Sequence, residues 1–311
     1  MSLTSFLRIK EVREAFASEF EKPKLKLDWK IKVPPGTTNY SLVGTAFDYL
    51  MRFYLERLNP FAVTEPWTCE RAVEVLNLGL KDLSELKELE EIKWWGVITG
   101  IKSQLGQTKL DYPKLVDMAE NIVKEAKIRH SQYVKSGHMT NEVIKTVILM
   151  SQLDLIFRGG YLYRNIGKVD KRDIQDLKSM LSIIPKNIFT AKSICLLNPT
   201  FGEATRLIGG ADADIVIDNR IIDIKTVKKC EIRRDNFNEI VGYYILGRIG
   251  GIGENHRVDA SDIEEIGLYF SRFGKCCLFN VDTIINQDTI SAFMDWFKNR
   301  AQAEFKILMI K

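Results

Sequence analysis

Residues 209–226, with the sequence GGADADIVIDNRIIDIKT, constrain the fold more strongly than any other part of the chain. Two runs rich in β-branched residues, 215–217 and 220–222, flank the dipeptide Asp218-Asn219. Residues of this kind favour strands, and aspartate and asparagine tolerate the positive φ of a tight turn. The pattern therefore predicts a β-hairpin with a two-residue loop.

The register of this hairpin brings charged residues together. With a two-residue loop, Asp214 faces Asp223, and Asp212 faces Lys225 one step further out. Because side chains alternate along a strand, all four lie on one face. Opposed Cβ atoms are about 4.5–5.5 Å apart, so two carboxylates there repel each other. We expect a divalent ion, Mg²⁺ or Mn²⁺, held by Asp214 and Asp223, with Asp212 as a further candidate ligand.

A metal ion beside a lysine predicts cleavage of a phosphodiester bond. Asp214 and Asp223 would hold one or two ions, helped by the backbone carbonyl of Ile224, and the ions would lower the pKa of a bound water. Lys225 would position the nucleophile or stabilise the charge that develops on the phosphate. The alternative is a solvent-facing edge hairpin whose polar face is acidic.

The same residues resemble the PD-(D/E)xK nuclease superfamily, in which an acid ends one strand and an Asp/Glu-x-Lys motif lies on the neighbouring antiparallel strand. Asp214 matches the first acid, Asp223 the second and Lys225 the lysine. The resemblance implies a restriction-endonuclease-like fold, an α/β core with a central mixed sheet flanked by helices. It also implies Mg²⁺-dependent hydrolysis of nucleic acid, with DNA as the expected substrate.

The segment after the lysine strand extends the resemblance to the RecB-like exonuclease branch. Residues 235–249 repeat apolar side chains at helical spacing, and Asp235 or Asn236 can cap this helix. RecB-like nucleases carry a glutamine on the helix and a tyrosine four positions later. Tyr243 matches the tyrosine and Glu239 stands in place of the glutamine, so the resemblance implies catalytic roles for both. A plain amphipathic core helix is the alternative.

Two further acids match metal ligands that occur in some members of the superfamily. The predicted helix 41–58 contains Gly44 and, four positions later, Asp48, which stands where RecB-like nucleases have a metal-binding histidine. Glu203 precedes a predicted strand at 205–208 and matches an upstream glutamate ligand. Both also fit simpler roles, Asp48 as an acid near a helix N-terminus and Glu203 as a surface residue.

A basic cluster follows the motif and predicts contacts with the phosphates of a nucleic acid. Its members are Lys228, Lys229, Arg233 and Arg234. Such a cluster neutralises phosphates, adds affinity rather than sequence readout, and makes binding depend on salt. A charge run of this length is also typical of a solvated connection between two elements.

The composition is that of an ordinary globular protein. Across 311 residues, 45 lysines and arginines oppose 41 acidic residues, and the net charge of +4 permits nucleic-acid binding without requiring it. No apolar stretch approaches the ~20 residues of a membrane span and no signal peptide is recognisable, so we expect a cytoplasmic protein. The five cysteines include no CxxC motif and predict reduced thiols rather than an iron–sulfur cluster.

The elements predicted along the chain divide it into two regions. Residues 1–190 form a mostly helical region, in which helix 41–58 packs on the nuclease core and the remainder forms a cap or insertion; residues 191–311 form the core. The predicted helices of the first region are 4–20, 41–58, 67–80, 82–92, 111–136, 140–158 and 170–183. The core adds to the hairpin the strands 263–270 and 275–281 and a closing helix at 287–303.

Taken together, the residues and the resemblance predict a metal-dependent nuclease that acts in repair, phage biology or defence. The alternative from another class is a catalytically inactive module of the same fold that binds nucleic acid or a protein. A nuclease binds the metal and degrades a polynucleotide, whereas an inactive module binds without turnover. The sequence leaves open whether a partner protein or a second copy of the chain takes part.

Overall fold

A computed structural model of the chain describes residues 2–81, 94–106, 110–253 and 258–310, with backbone alone for 305–310. The chain divides into two compact units. The sheet unit comprises Met1–Pro34, Leu58–Glu65 and Ile183–Lys311, and the helical unit comprises Pro35–Arg57 and Pro66–Ser182. Much of the N-terminal 65 residues therefore belongs with the sheet, although it precedes the sheet motif by more than a hundred positions.

The described part of the sheet unit contains one mixed sheet whose strands follow chain order. The strands are β1 (Val63–Thr64), β2 (Cys195–Leu197), β3 (Ile215–Ile217), β4 (Arg220–Lys225), β5 (Glu265–Phe270) and β6 (Lys275–Asn280). The pairs β1–β2 and β4–β5 are parallel, and the other neighbouring pairs are antiparallel. Helices flank this sheet. The predicted α/β class with a central mixed sheet is therefore confirmed.

The described helices are distributed over both units. In chain order they are α1 (Leu3–Phe6), α2 (Lys10–Glu19), α3 (Tyr40–Leu58), α4 (Thr68–Leu78), α5 (Trp95–Leu105), α6 (Tyr112–Ser136), α7 (Asn141–Gly159), α8 (Lys171–Ser182), α9 (Lys186–Phe189), α10 (Glu203–Leu207), α11 (Arg234–Gly250), α12 (Val281–Ile284) and α13 (Ile290–Ile310). Among the residues described, none of these helices has the length and apolarity needed to cross a bilayer.

The predicted hairpin forms with the predicted register. Strand β3 pairs antiparallel with β4, and Ile217 lies opposite Arg220 across a two-residue loop. Asp218 in this loop has a φ of 48°, in the left-handed region that aspartate tolerates. Its carboxylate also accepts hydrogen bonds from the backbone N–H groups of residues 192–194. The loop is therefore held by its own side chain.

Helix α11 covers the sheet and positions one wall of the candidate site. Val216 and Ile221 from the hairpin share a buried cluster with Ile240 and Tyr244 of α11. Burial of each large apolar side chain contributes about 1.5–3 kcal/mol relative to leaving it exposed. This packing sets the rotation of α11, and hence the direction of the polar side chains on the same helix.

The N-terminal helices α1 and α2 join the sheet unit through an aromatic cluster. The ring of Phe6 lies 5.2 Å from that of Phe297, and the ring of Phe16 lies 5.2 Å from that of Phe293, both pairs edge to face. Edge-to-face pairs are favourable beyond the area they bury. These contacts explain why residues so far from the sheet in sequence belong to the same unit.

The predicted strand at 205–208 is wrong, because this segment lies mostly in α10. Gly202 before the helix has a φ of 52°, and Gly209 after it has a φ of 74°. The hydroxyl of Thr205 accepts a hydrogen bond of 2.7 Å from the backbone N–H of Phe201. Turn residues at both ends and a local side-chain contact outweigh the strand preference of a short apolar run.

Several other predicted boundaries differ from the structure. The predicted helix 4–20 is divided into α1 and α2, and the sequence missed α5, β1 and β2. The predicted helix 82–92 lies outside the described residues. The long helices α3, α6, α7 and α8 agree with prediction to within a residue at each end. Long periodic segments are therefore predicted well, whereas very short strands carry little signal.

Candidate functional site

Asp214 lies immediately before β3 and is held from both sides. Its carboxylate Oδ2 accepts a hydrogen bond of 2.6 Å from the backbone N–H of Ile224 on β4. Its backbone carbonyl accepts a hydrogen bond of 2.9 Å from the N–H of Asn198, which directly follows β2. The side chain therefore reaches across the hairpin to the segment that contains Asp223 and Lys225.

Lys225 is the centre of a three-residue ion cluster. Its Nζ lies 2.7 Å from Asp223 Oδ2 and 2.7 Å from Glu239 Oε2. Asp223 and Lys225 are two residues apart on β4 and share a face, whereas Glu239 approaches from α11. The Asp223 side chain is only 4% exposed, and those of Lys225 and Glu239 are 17% and 16% exposed. Two strands and a helix thus bring the predicted acids and the lysine together.

Glu239 and Tyr243 lie one turn apart on α11. The second oxygen of Glu239, Oε1, accepts a hydrogen bond of 3.0 Å from the hydroxyl of Thr4 in α1. The buried ring of Tyr243 stacks on Phe201, with ring centroids 5.7 Å apart and planes at 16°. Burial raises the pKa of Tyr243 well above its usual value, and the nearby carboxylates of Glu239 and Asp223 raise it further.

Removal from water dominates the electrostatics of the two aspartates. Burial raises the pKa of Asp214, although the hydrogen bond from Ile224 and the charge of Lys225 oppose that rise. Burial also raises the pKa of Asp223 well above its usual value, despite the ion pair with Lys225, and the Glu239 carboxylate raises it further. Burial therefore disfavours the ionised form of both carboxylates in the protein alone.

For Lys225, in contrast to the two aspartates, neighbouring charges affect the pKa more than burial does. Burial lowers the pKa of Lys225, but the adjacent carboxylates of Asp223 and Glu239 outweigh that effect and raise the pKa above its usual value. The ammonium group therefore keeps its proton at neutral pH. Lys225 is thus a positive charge held between two carboxylates.

The raised pKa of Asp223 predicts a gain in stability on its replacement. A carboxyl group whose pKa is higher in the folded than in the unfolded protein favours folding when it is protonated. The folded protein therefore becomes less stable as pH rises from the unfolded pKa through the folded pKa. Asp223→Asn removes this loss and leaves Lys225 paired with Glu239. We expect the metal-free variant to melt about 2–4 °C higher than wild type at pH 8, for a gain of roughly 1 kcal/mol, with no difference near pH 4.

Thermal melts in EDTA between pH 4 and pH 8 measure this difference. The exposed residue Asp288 supplies the control Asp288→Asn, which should melt with the wild type at every pH. A lower melting temperature for Asp223→Asn at pH 8 would show that the ion pair with Lys225 outweighs the cost of burial.

The donor atoms at the site fit a divalent cation of the Mg²⁺ type. The oxygen Asp223 Oδ2 is buried, and its ion pair with Lys225 Nζ spans 2.7 Å. Asp214 supplies a second carboxylate and Ile224 a backbone carbonyl, all hard oxygen donors. No group of three or more His, Cys, Asp or Glu side chains arranged for a metal occurs in the described ranges. Because Mg²⁺ usually keeps several waters, two carboxylates and a carbonyl suffice.

Asp212 lies before β3, beyond the paired residues of the hairpin. It forms an isolated bridge with Thr200, and its Oδ2 accepts a hydrogen bond of 2.6 Å from the amide of Asn198. This bridge continues the register of the β2–β3 ladder, and the β3–β4 ladder ends at Ile215 and Ile222, so the predicted pairing of Asp212 with Lys225 lies beyond the paired residues. Asp212 nevertheless lies near enough to Asp214 for its charge to raise the pKa of that carboxyl.

Two other candidate ligands lie on helices. Glu203 is solvent-exposed in the first turn of α10, where it forms an ion pair of 3.6 Å with Arg206. Asp48 is half-buried on α3 in the helical unit.

The predicted basic cluster divides into exposed and structural members. Lys228, Lys229 and Arg233 are exposed in the connection between β4 and α11. Arg234 is the first residue of α11, and its guanidinium donates a hydrogen bond of 2.8 Å to the carbonyl of Phe20. Arg233 precedes the helix without a side-chain cap, so the predicted capping by Asp235 does not occur.

Sequence reasoning missed two residues that shape the site. Asn198 has a φ of 59° and binds both Asp212 and the backbone carbonyl of Asp214. Its signal was an asparagine directly before a proline, a pair that favours turns. Thr4 binds Glu239 from 235 positions away, and no local pattern indicates that contact.

Comparisons with models of protein families, with curated proteins and with solved structures found no match to this chain. The functional conclusion therefore depends on the residues and their geometry.

Proposed function

We propose that the chain is a Mg²⁺- or Mn²⁺-dependent nuclease with a restriction-endonuclease-like core of the RecB-like branch. The observation that carries this proposal is the convergence of Asp214, Asp223 and Lys225 at one end of the β3–β4 hairpin. Glu239 of α11 contacts the same lysine at 2.7 Å, and Tyr243 lies one turn further on. These residues match the acids, the lysine and the helix positions of the resemblance.

The charge of the cluster favours a divalent cation. The carboxylates of Asp223 and Glu239 contact the ammonium group of Lys225, and Asp214 lies near enough for that charge to lower its pKa. Asp214, Asp223 and the carbonyl of Ile224 would hold the ion. When bound, the ion supplies a water of lowered pKa and neutralises charge on the phosphate.

The protein's own side chains would supply the rest of the chemistry. Lys225, held as a cation by two carboxylates, stabilises negative charge on a phosphate oxygen in the transition state. Glu239 fixes the direction of the lysine through the ion pair. The hydroxyl of Tyr243, one turn beyond Glu239 on α11, can donate a hydrogen bond to an anionic substrate.

A nuclease assay over a panel of labelled substrates tests the proposal. Single- and double-stranded DNA and RNA are incubated with Mg²⁺, with Mn²⁺ or with EDTA, and Lys225→Ala serves as the control. We expect metal-dependent shortening of at least one substrate, absent in EDTA and lost in the variant. No cleavage of any substrate with either metal would contradict the proposal.

One observation favours a second candidate, a catalytically inactive module of the same fold. Lys225 forms close ion pairs with Asp223 and Glu239, so the protein itself offsets part of the carboxylate charge. Such a module would bind nucleic acid or a protein without turnover. Binding of a labelled polynucleotide that stays intact in Mg²⁺ and in Mn²⁺ would favour this candidate.

A further inference from the structure

An extended segment of the sheet unit carries a second set of positive charges. Residues 21–33, with the sequence EKPKLKLDWKIKV, contain five lysines and have a net charge of +3. We call this segment the lysine strap. Four of its lysines are exposed: Lys24, Lys26, Lys30 and Lys32. The lysines alternate with apolar residues, so the segment differs from a purely polar solvated linker.

The lysine strap is fixed to the sheet unit rather than loosely attached. The backbone N–H groups of Lys32 and Val33 donate to the carbonyl of Arg272, and the Arg272 guanidinium donates back to the Val33 carbonyl. Leu27 and Trp29 pack against the core. Because the backbone is held at these points, the lysine charges have a defined position, and less entropy is lost when they bind a partner.

Two contacts place the lysine strap beside the candidate site. The ring of Trp29 lies 6.1 Å from that of Phe270, and Phe270 pairs with Lys225 in the β4–β5 ladder. At the other end, Phe20 precedes the strap and accepts the hydrogen bond from Arg234, five residues before Glu239 on α11. The strap therefore runs past the ends of the two elements that carry Lys225 and Glu239.

The exposed basic residues after β4 continue the same surface. Lys228, Lys229 and Arg233 lie in the connection that leads to Arg234, the first residue of α11, which contacts Phe20. Residues 226–235 have a net charge of +2. The acids on these segments, among them Glu21 and Asp28, are outnumbered by the lysines and arginines. A surface with this excess of positive charge attracts a polyanion.

We propose that the lysine strap and the connection after β4 form one phosphate-binding surface that guides the backbone of a nucleic acid to Lys225. The inference deepens the proposed function and rests on it for the identity of the substrate. Lysine contacts of this kind supply affinity that is independent of base sequence and depends strongly on salt. The surface therefore accounts for substrate capture, and Asp214 and Asp223 account for cleavage.

Binding without turnover tests the inference. A labelled 30-nucleotide DNA strand, its duplex and the corresponding RNA are titrated with protein in EDTA, and anisotropy is recorded from 50 to 300 mM salt. The strap variant carries glutamine at Lys24, Lys26, Lys30 and Lys32. A matched control carries glutamine at four lysines of the same unit outside the surface: Lys10, Lys186, Lys192 and Lys298. Melting temperatures verify that both variants fold.

We expect the strap variant to bind about 10- to 100-fold more weakly at 0.1 M salt, with the slope of log K against log salt reduced by about 2 to 4. The control should remain within about threefold of wild type. Equal losses in both variants, unchanged binding by the strap variant, or equally tight binding of poly-glutamate would overturn the inference. Failure of the wild type to bind any of the three nucleic acids would also overturn it.

The same data separate this inference from the proposed function. If binding depends on the lysine strap but the protein cleaves no substrate in Mg²⁺ or Mn²⁺, the proposed nuclease activity is refuted and the proposed phosphate-binding surface is supported. Cleavage by the wild type together with unchanged binding and cleavage by the strap variant would refute the surface alone.

Discussion

Asp223→Asn is expected to reduce nucleolytic turnover by about 10³-fold or more. The carboxylate is 4% exposed and lies where a divalent ion would be held, and an asparagine keeps its shape but loses its charge. Metal ions contribute several kcal/mol to charge stabilisation in such reactions, and each 1.36 kcal/mol corresponds to a factor of ten in rate. The same loss is expected for Asp214→Asn, because both oxygens are needed to hold one ion.

Two measurements together check this expectation. Initial rates on the best substrate of the panel give the turnover, and calorimetric titration with Mn²⁺ gives the affinity for the metal. The control Asp288→Asn changes an exposed aspartate and should leave both unchanged. If Asp223→Asn retains turnover within tenfold of wild type, the aspartate does not hold the catalytic ion.

Lys225→Met should lower turnover by about 10²–10³-fold and also destabilise the protein. The loss of rate follows from removing a fixed positive charge beside the developing negative charge. The loss of stability follows because Asp223 and Glu239 are left in a buried site without the cation that lies 2.7 Å from each. Breaking a buried ion pair by removing one partner typically costs about 3–5 kcal/mol.

The stability change therefore has the opposite sign from that expected for Asp223→Asn. Thermal melts of the two variants in EDTA at pH 8 should bracket the wild type, with Lys225→Met below and Asp223→Asn above. An exposed lysine on β6 supplies the control Lys275→Met, which should melt close to wild type. Two variants that shift the melting temperature in the same direction would contradict the charge balance described for the cluster.

The hairpin and the arrangement of its acids and lysine were predictable because their causes are local. A two-residue turn sets the register of β3 and β4, and strand alternation then places Asp223 and Lys225 on one face. The hydrogen bond from Ile224 to Asp214 follows from the same register. Sequence patterns capture such contacts since every partner lies within a dozen residues.

Contacts beyond the hairpin depended on the path of the whole chain. The pairing predicted between Asp212 and Lys225 lies beyond the β3–β4 ladder, which ends at Ile215 and Ile222, and Asp212 forms a bridge with Thr200 on the β2 side. The contact between Thr4 and Glu239 requires α1 to pack on α11, which no local pattern encodes. Helix periodicity predicted α11 itself, but the partner of Glu239 depended on how the helix packs on the sheet.

The lysine strap illustrates a different limit of sequence reasoning. Its five lysines were visible in the chain, yet they lie about 200 residues before Lys225 and no motif connects the two. Only the contacts of Trp29 with Phe270 and of Arg234 with Phe20 bring the strap beside the site. A run of charged residues can be assigned to a site once the fold shows which residues lie beside it.

Anomalous diffraction from crystals soaked in Mn²⁺ tests the central claim most directly. The proposed site predicts a manganese peak between the carboxylates of Asp214 and Asp223, within about 2.0–2.4 Å of an oxygen from each. Loss of that peak in crystals of Asp223→Asn would support the assignment. A map in which these two side chains coordinate nothing, or in which manganese binds elsewhere on the chain, would contradict it.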